Sequence, residues 1–425
     1  MRPPAMAGKP DREVAVDARV GFLLALGRAA HAAGHHSQTL EELLDRTAAR
    51  LGVGDAQFFT TPTSIFASFG AEATQRTYLI RVEPGGPDLG RQVRIVEIVE
   101  AVLGGRVALE AGTERLRDVL TARSPYGPVP ATLAFALSSA ASGVVLGGGR
   151  REVALALGLG LVTGLLALVA GRFRALERLF PTAAAFLVAL FATLAGDAWT
   201  GIAISTAVLA GLIVLLPGLM IVSAMNELAT GHLASGTARA AGAFVILIGV
   251  GFGVALGTRV AELIVGVQPV ASAVALPSAA IWVAAVGAAI GFTILLRAEP
   301  KDAPWILAGA VVALLASRVG ARALGAELGP FVGAFAVATV AWVYGRVTRR
   351  PGEVVLAPGV LVMVPGSIGF RSITALLEHR VVSGIDAGFT ALFTAIALVA
   401  GLLIAAVLLP GPAAQVRWRN PAREP

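Results

Sequence analysis

Residues 214–228 read VLLPGLMIVSAMNEL, and residues 362–376 read VMVPGSIGFRSITAL. Each stretch sets Pro-Gly inside an apolar run that otherwise suits a membrane helix, and the second Pro-Gly stands 148 residues after the first. Proline removes a backbone donor and clashes with the preceding turn, while glycine carries a large entropy cost in a helix. The pair therefore interrupts a helix. In hydrocarbon the main-chain groups so freed are tolerable only where protein or a water-filled cavity receives them. Two readings fit: the breaks mark a central pathway, or each ends a membrane helix ahead of an interfacial one.

The match extends outward from the breaks. FPTAAAFLVALFATLAG (180–196) lies opposite GPFVGAFAVATVAWVYG (329–345), and Gly143 and Gly171 find Gly291 and Gly320 at nearly the same offset. One offset through five spans predicts two copies of a five-helix unit. Five is odd, so the second copy must enter the bilayer from the face opposite the first. That is the inverted-topology repeat of many secondary transporters, whose binding sites lie between the halves at discontinuous helices.

Composition agrees with the membrane assignment. The chain is 56% hydrophobic and 14% charged, with a mean hydropathy of +0.78, against roughly 25% charged residues in soluble domains. From residue 131 onward about ten apolar runs approach the roughly 20 residues that a bilayer requires. They cover 131–147, 153–170, 181–196, 201–221, 238–257, 271–296, 304–319, 329–345, 354–371 and 386–409. The net charge of +7 comes almost wholly from arginine, and in a membrane protein such an excess sets topology; nucleic acid is not an expected partner. With the N-terminus inside, about 12 Lys/Arg fall on the cytoplasmic side and about 7 outside. The first apolar run, 22–26, lies between Arg19 and Arg28 and follows Asp11, Glu13 and Asp17, unlike a secretion signal. There is no cysteine, which removes disulfides, thiolate metal sites and cysteine nucleophiles.

Residues 12–127 differ in character and predict a small cytoplasmic α+β domain. TLEELLDRTAARLG places Leu40, Leu43, Leu44 and Leu51 on one helical face, with a capping box from Thr39 and Glu42 and a terminating Gly52. TSIFASF and TYLIRV alternate as strands joined by the hairpin link GAEATQR. DLGRQVRIVEIVEAVLGG predicts a helix capped by Asp88 and stopped at Gly104-Gly105. The expected fold is thus membrane all-α, about ten transmembrane helices as two inverted five-helix repeats (131–266 and 271–410), behind that α+β domain.

Few residues offer chemistry. The lysines are Lys9 and Lys301, in GKP and EPKD, so no Walker A sequence exists and ion coupling is the simpler energy source. Ionisable groups at membrane depth are functional candidates by default. After the first break come Ser223, Asn226, Glu227 and His232; after the second come Ser367, Arg371, Glu378 and His379. Arg371 suits a substrate carboxylate, and Glu227 suits an ammonium group or a transferred proton. The plainer reading puts these side chains at the membrane surface. Asp197 in GDAW reads as a loop residue. Gly249, Gly253 and Gly257 recur every fourth residue, a spacing for close helix packing. His31 and His35 have helical spacing but no HExxH context, so no metal is expected, and no cofactor.

The chain resembles the bacterial threonine/serine exporters. The likeness rests on RAAHAAG, LEELLDRTAARLGV, FFTTPTSIF and DLGRQVRIVEIV near the start. Its most specific stretch is GPFVGAFAVATVAWVYGRVTRRPGEVVLAPGVLVMVPGSIGFRS in the second membrane half. The motif positions carried over are Thr61, Pro62, Pro217, Gly218, Pro365, Gly366, Ser367 and Gly369; the turn GHHSQ departs from the usual pattern and stays unassigned. The resemblance implies a cytoplasmic N-domain, ten spans in a bacterial cytoplasmic (inner) membrane and export driven by the proton motive force. Its substrates are small hydroxy amino acids, or small dicarboxylates such as succinate in split relatives. The expected pathway residues are Pro217, Gly218, Ser223, Asn226, Glu227, Pro365, Gly366, Ser367, Gly369 and Arg371. The expected partners are threonine or serine, protons and the lipid bilayer, with a homo-oligomer left open. A membrane-anchored enzyme and a channel are the alternatives from other classes.

Overall fold

The computed structural model describes residues 11–199, 201–269, 271–363 and 365–409; Lys9 lies outside them. They fall into two compact units. One holds residues up to Pro125 together with Asn226–Arg239, and the other holds Tyr126–Met225 and the chain from Ala240 on.

The first unit contains α1 (Asp11–Ala32), α2 (Ser37–Arg50), β1 (Gln57–Thr61), β2 (Ser64–Phe69), β3 (Arg76–Arg81), α3 (Leu89–Leu103) and α4 (Leu109–Thr121). The strands form an antiparallel sheet in sequence order. Phe22, Leu23 and Leu26 of α1 meet Leu40 and Leu44 of α2, Ile65 and Ile80 of the sheet, and Ile95 and Leu116 of the last two helices. The short apolar run flanked by arginines is thus core. The hairpin registers as expected, with Phe66 opposite Leu79. β1 was not anticipated because its adjacent Phe58 and Phe59 break the alternation; Phe59 pairs with Phe66.

Helix ends follow backbone chemistry. The Asp88 side chain accepts from Arg91 N at 3.0 Å, and Gly104 ends α3. Gly52, at φ +69°, follows the end of α2 in the left-handed conformation that glycine tolerates best. The start of α2 needs correcting. The helix begins at Ser37 with His36 in the cap position and no side-chain cap bond. Glu42 instead accepts from Gln38 Nε2 at 3.0 Å. The reason is tertiary: Ser37 N donates to Glu227 Oε1 at 3.0 Å, a partner 190 residues away.

The second unit is helical. Its elements are α5 (Pro128–Val145), α6 (Arg150–Ala170), α7 (Arg174–Ala198), α8 (Ile204–Leu212), α9 (Gly218–Ala229, reaching the first unit at its end), α10 (Leu233–Val265), α11 (Ala280–Leu295), α12 (Ala303–Leu324), α13 (Gly329–Thr348), α14 (Glu353–Met363), α15 (Pro365–Leu377) and α16 (Val381–Leu408). Among the described residues eight helices are long and apolar enough to cross a bilayer, and the pair Ile204–Leu215 with Gly218–Ala229, bent by 57°, makes nine. The chain is a multi-pass membrane protein. The sixth expected run is shorter than expected: α11 has 16 residues. Pro277 disfavours helix just before it, and α11 opens only beyond, where Pro277 O accepts from Ala280 N.

Small residues set the packing. Gly253 of α10 faces Thr182, Ala185 and Phe186 of α7, so closely that a β-carbon would collide with that helix. Gly401 of α16 faces Phe331, Ala334 and Phe335 of α13 in the same way, and every one of these residues stands 148 or 149 positions after its counterpart. Gly211 against Val188 and Gly359 against Val337 repeat the pattern. The first helices of the two halves run antiparallel. Gly287 of α11 lies against Leu137 and Ala141 of α5, whereas Gly291, one turn later, lies against the earlier Ala134 and Ser138.

Acid should weaken the first unit in a defined window. Burial pushes His35 from 6.5 down to about 4, although its Nδ1 donates to Ala30 O at 2.9 Å and opposes the shift. The folded form excludes the proton that an unfolded histidine accepts, so stability is full above 6.5, falls as pH drops toward 4 and levels off below. Hydrogen exchange of the α1–α2 peptides in the full-length protein checks this; protection that stays constant across that window contradicts it.

Candidate functional site

The site is built where the two Pro-Gly pairs meet. After α8 the chain tightens into a 3-10 turn, Ile213–Leu215, and Leu216 turns extended at ψ 130°, as a residue before proline must. Pro217 cannot donate, and Gly218 N bonds back to Leu216 O at 2.8 Å before Ile221 N restarts the helical pattern on Pro217 O at 2.9 Å. On the other side α14 is described as far as Met363 and α15 from Pro365. Val364 between them lies outside the described residues, and Glu353–Leu377 is counted as one span.

Gly366 packs directly on Gly218. A β-carbon on Gly366 would stand 3.0 Å from Gly218 N, 3.1 Å from Gly218 Cα and 3.2 Å from Leu216 Cβ. α9 starts at this contact, so its N-terminal turn, whose amides have no preceding helical turn to bond to, lies at a buried point. Pro217, Gly218 and Gly366 are all buried.

Each helix leaving the crossing then enters the other half. Val222 of α9 is buried with Ala334, Val360, Leu398 and Val399, residues of α13, α14 and α16. Phe370 of α15 is buried with Ala185, Val188, Leu209, Leu247 and Val250, residues of α7, α8 and α10. Phe370 stands 148 positions after Val222. The halves exchange equivalent helices.

The other expected pathway residues are distributed unevenly. Ser223 is buried, and its Oγ donates to Leu219 O at 2.6 Å. Ser367 is buried, and Gly369 faces Leu247 Cδ1 at the distance of a close methyl contact. Arg371 is exposed on the same helix. Asn226 and Glu227 belong instead to the first unit. Glu227 is fully buried there, with Arg239 Nε at 3.0 and 3.1 Å from its two oxygens and Ser37 N on Oε1. Ser37 Oγ adds a bond to Ser235 Oγ at 2.7 Å, and His232 Nε2 sits 3.4 Å from Glu41. Burial, then Arg239, pushes His36 down to about 4, with Glu227 pulling the other way. Its carboxylate is thereby committed to an arginine and a helix start. His31 donates through Nε2 to Thr61 O at 3.2 Å, and among the described residues no cluster suits a metal ion.

Two buried acids escaped the sequence reading. Glu152 opens α6 and Asp302 precedes α12, and both read as loop charges beside arginines or lysine. Glu152 did carry a signal, three residues into a helix after glycine, where a capping carboxylate belongs. Asp302 accepts from Tyr344 OH at 2.9 Å and lies 2.9 Å from Arg350 Nη1, which also reaches Glu299 at 2.9 Å. Burial pushes Glu299 up, but hydrogen bonds from Lys301 and Arg350 hold it below the usual carboxylate range.

Comparison with known proteins follows this geometry. Residues 274–408 match the family model described as Threonine/Serine exporter, ThrE, and residues 21–261 match its companion ThrE model, which alone covers more than half of the chain. The chain belongs to the threonine/serine exporter family. A pheromone-regulated membrane protein of Candida albicans is 29% identical over 245 residues, 56% of this chain and 22% of that protein. A Schizosaccharomyces pombe protein is 26% identical over 252 residues, 56% of this chain and 30% of its own. A pheromone-regulated membrane protein of Kluyveromyces lactis is 27% identical over 244 residues, 56% of this chain and 25% of its own. The chain thus spans less than a third of the length of these relatives. No solved structure matches.

The crossing predicts a graded steric response in this exporter-family chain. Gly366→Ala pushes Gly218 by a few tenths of an ångström, at a cost within the roughly 1–3 kcal/mol of core overpacking, and Gly366→Leu has no space at all. Thermal unfolding in detergent should show a small loss for the alanine variant and a large one for leucine. Equal stability of the leucine variant and the parent contradicts the contact.

Proposed function

We propose that this protein is a secondary active exporter of threonine, serine or similar small hydroxy amino acids, working by proton antiport with alternating access. It is a transporter rather than an enzyme. The single observation that carries the reading is the Gly218–Gly366 crossing inside a chain of the exporter family. Half-helix N-termini at the centre of a transporter point their positive ends at anionic groups of the substrate. The first turn of α9 is placed to receive a substrate carboxylate, with Ser223 following on α9 and Ser367 next to Gly366 at the contact. Pro217 keeps that turn open, Gly369 lets α15 approach α10, and Arg371 guides the anion toward it; Pro365 stays in the proposed pathway as the partner of Gly366 in the second Pro-Gly pair. Asn226 and Glu227 end α9, so they transmit its position rather than line the deepest part of the path.

The alternating-access reading rests on the two-copy architecture, with residues 131–266 and 271–410 as inverted repeats and 12–127 as a cytoplasmic domain. The antiparallel α5 and α11, the repeated glycine contacts and the exchanged α9 and α15 support it. Loop contacts point the same way. Tyr126 OH, ahead of α5, donates to Ala298 O after α11 at 2.7 Å, whereas Gly149, beyond α5, approaches Val274 ahead of α11. Placement in a bacterial cytoplasmic membrane rests on the resemblance, since the relatives described above are fungal. A small dicarboxylate is the second reading, favoured by Arg371, a guanidinium one turn after Ser367 on the same helix that suits a second carboxylate.

Proteoliposomes loaded with labelled threonine test the activity. Efflux should accelerate on imposing an inward proton gradient, and Arg371→Ala should lower it by about tenfold with folded protein retained. No gradient response for threonine, serine or a dicarboxylate panel overturns the exporter reading. Topology is tested separately. A tag in the joint at Val267-Gln268 should report the compartment opposite both chain ends, and the same compartment removes the inverted repeat.

A further inference from the structure

Glu152 is 4% exposed and ties two pieces of backbone together. One carboxylate oxygen accepts from Gly149 N at 2.9 Å, closing the start of its own helix. The other accepts from Ala203 N at 2.9 Å, the residue immediately ahead of α8. Both partners are neutral amides, and among the described residues no cationic side chain is paired with this carboxylate. Asp302 holds the corresponding place in the second half, fastening the approach to α14 through Arg350. There the charge is neutralised by a guanidinium. Each acid therefore fastens the backbone ahead of a later helix, Asp302 through a guanidinium and Glu152, in the first turn of α6, through two backbone amides.

The surroundings leave room for proton exchange. Arg150 and Arg151 on α6 and Asp197 near the end of α7 are exposed. Neither α5 nor α8 contributes a charge, and the stretch before α11 that approaches Gly149 at Val274 O carries none. An open cavity of about 420 Å³ at the head of α6 is lined by Arg150, Arg151, Ala154, Ala198 and Trp199. Arg151 and Ala154 of that lining flank Glu152 in the same turn of α6.

The geometry points to Glu152 as the proton-coupling carboxylate of this transporter, a role that rests on the exporter reading above. A proton on the carboxyl removes its charge and turns the charge-assisted bond from Ala203 N–H into a weaker neutral one, so the hold of α6 on the start of α8 loosens. Loss of the proton restores an anion with two amide donors, and charge-assisted bonds of that kind are roughly twice as strong as neutral ones. The arm running from Ala203 to the Gly218–Gly366 crossing is thereby tied or freed according to protonation, while the Asp302 end stays fastened by Arg350 and Tyr344. In the proposed topology the two anchors lie at opposite membrane faces, with Glu152 on the side from which protons enter.

The test compares the full-length protein with Glu152→Gln in proteoliposomes, reading labelled threonine. The parent should show efflux accelerated about tenfold by an inward proton gradient, whereas the glutamine variant should lose that acceleration and keep threonine–threonine exchange. A variant that keeps the acceleration overturns the assignment. A parent that moves no threonine sinks the exporter reading itself, which is a separate outcome. Because the variant can also misfold, the parent is treated with an apolar carbodiimide and mapped by mass spectrometry. Adduct should form at Glu152, because the reagent captures a carboxyl in its protonated form; no adduct at Glu152 at any pH across which the gradient drives efflux overturns the proposal.

Discussion

Much of the membrane unit depends on one contact, the van der Waals meeting of Gly218 and Gly366. Two helices cannot approach through their backbones if either carries a side chain at the crossing, and in a bilayer there is no hydrophobic effect to force them together. Glycine at both positions allows the approach, and Pro217 supplies the break that brings the start of α9 to the same place.

From that crossing the helices diverge into each other's territory. Val222 completes a cluster made of second-half residues, and Phe370 completes one made of first-half residues. Neither half can close its apolar core without a helix from the other. Interiors packed with glycine and alanine favour discrete alternative arrangements over gradual deformation, because small residues leave no slack for partial displacement.

Glu227 shows how tertiary context reassigns a residue. A glutamate just after a membrane break reads as an intramembrane carboxylate seeking a proton or an ammonium group. In the folded protein it lies in the first unit, paired with Arg239 and capping α2 through Ser37. Glu152 moved in the other direction. Beside Arg150 and Arg151 it reads as an interfacial charge, yet it is buried against two amides that no linear pattern could place together.

The membrane class and the positions of most helical segments were legible in the sequence. Apolar length, Pro-Gly interruptions and glycine spacing are local constraints that hydrocarbon enforces on any fold. Asp88, Gly52 and the strand alternation of the first unit were legible for the same reason, since caps and period-two patterns involve near neighbours. Only the tertiary structure decided that the two breaks touch, that α9 and α15 change places, and that Ser37 finds its cap 190 residues away. Those contacts join residues far apart in the chain, and the sequence records which residues are small or charged but not which distant backbone they will face.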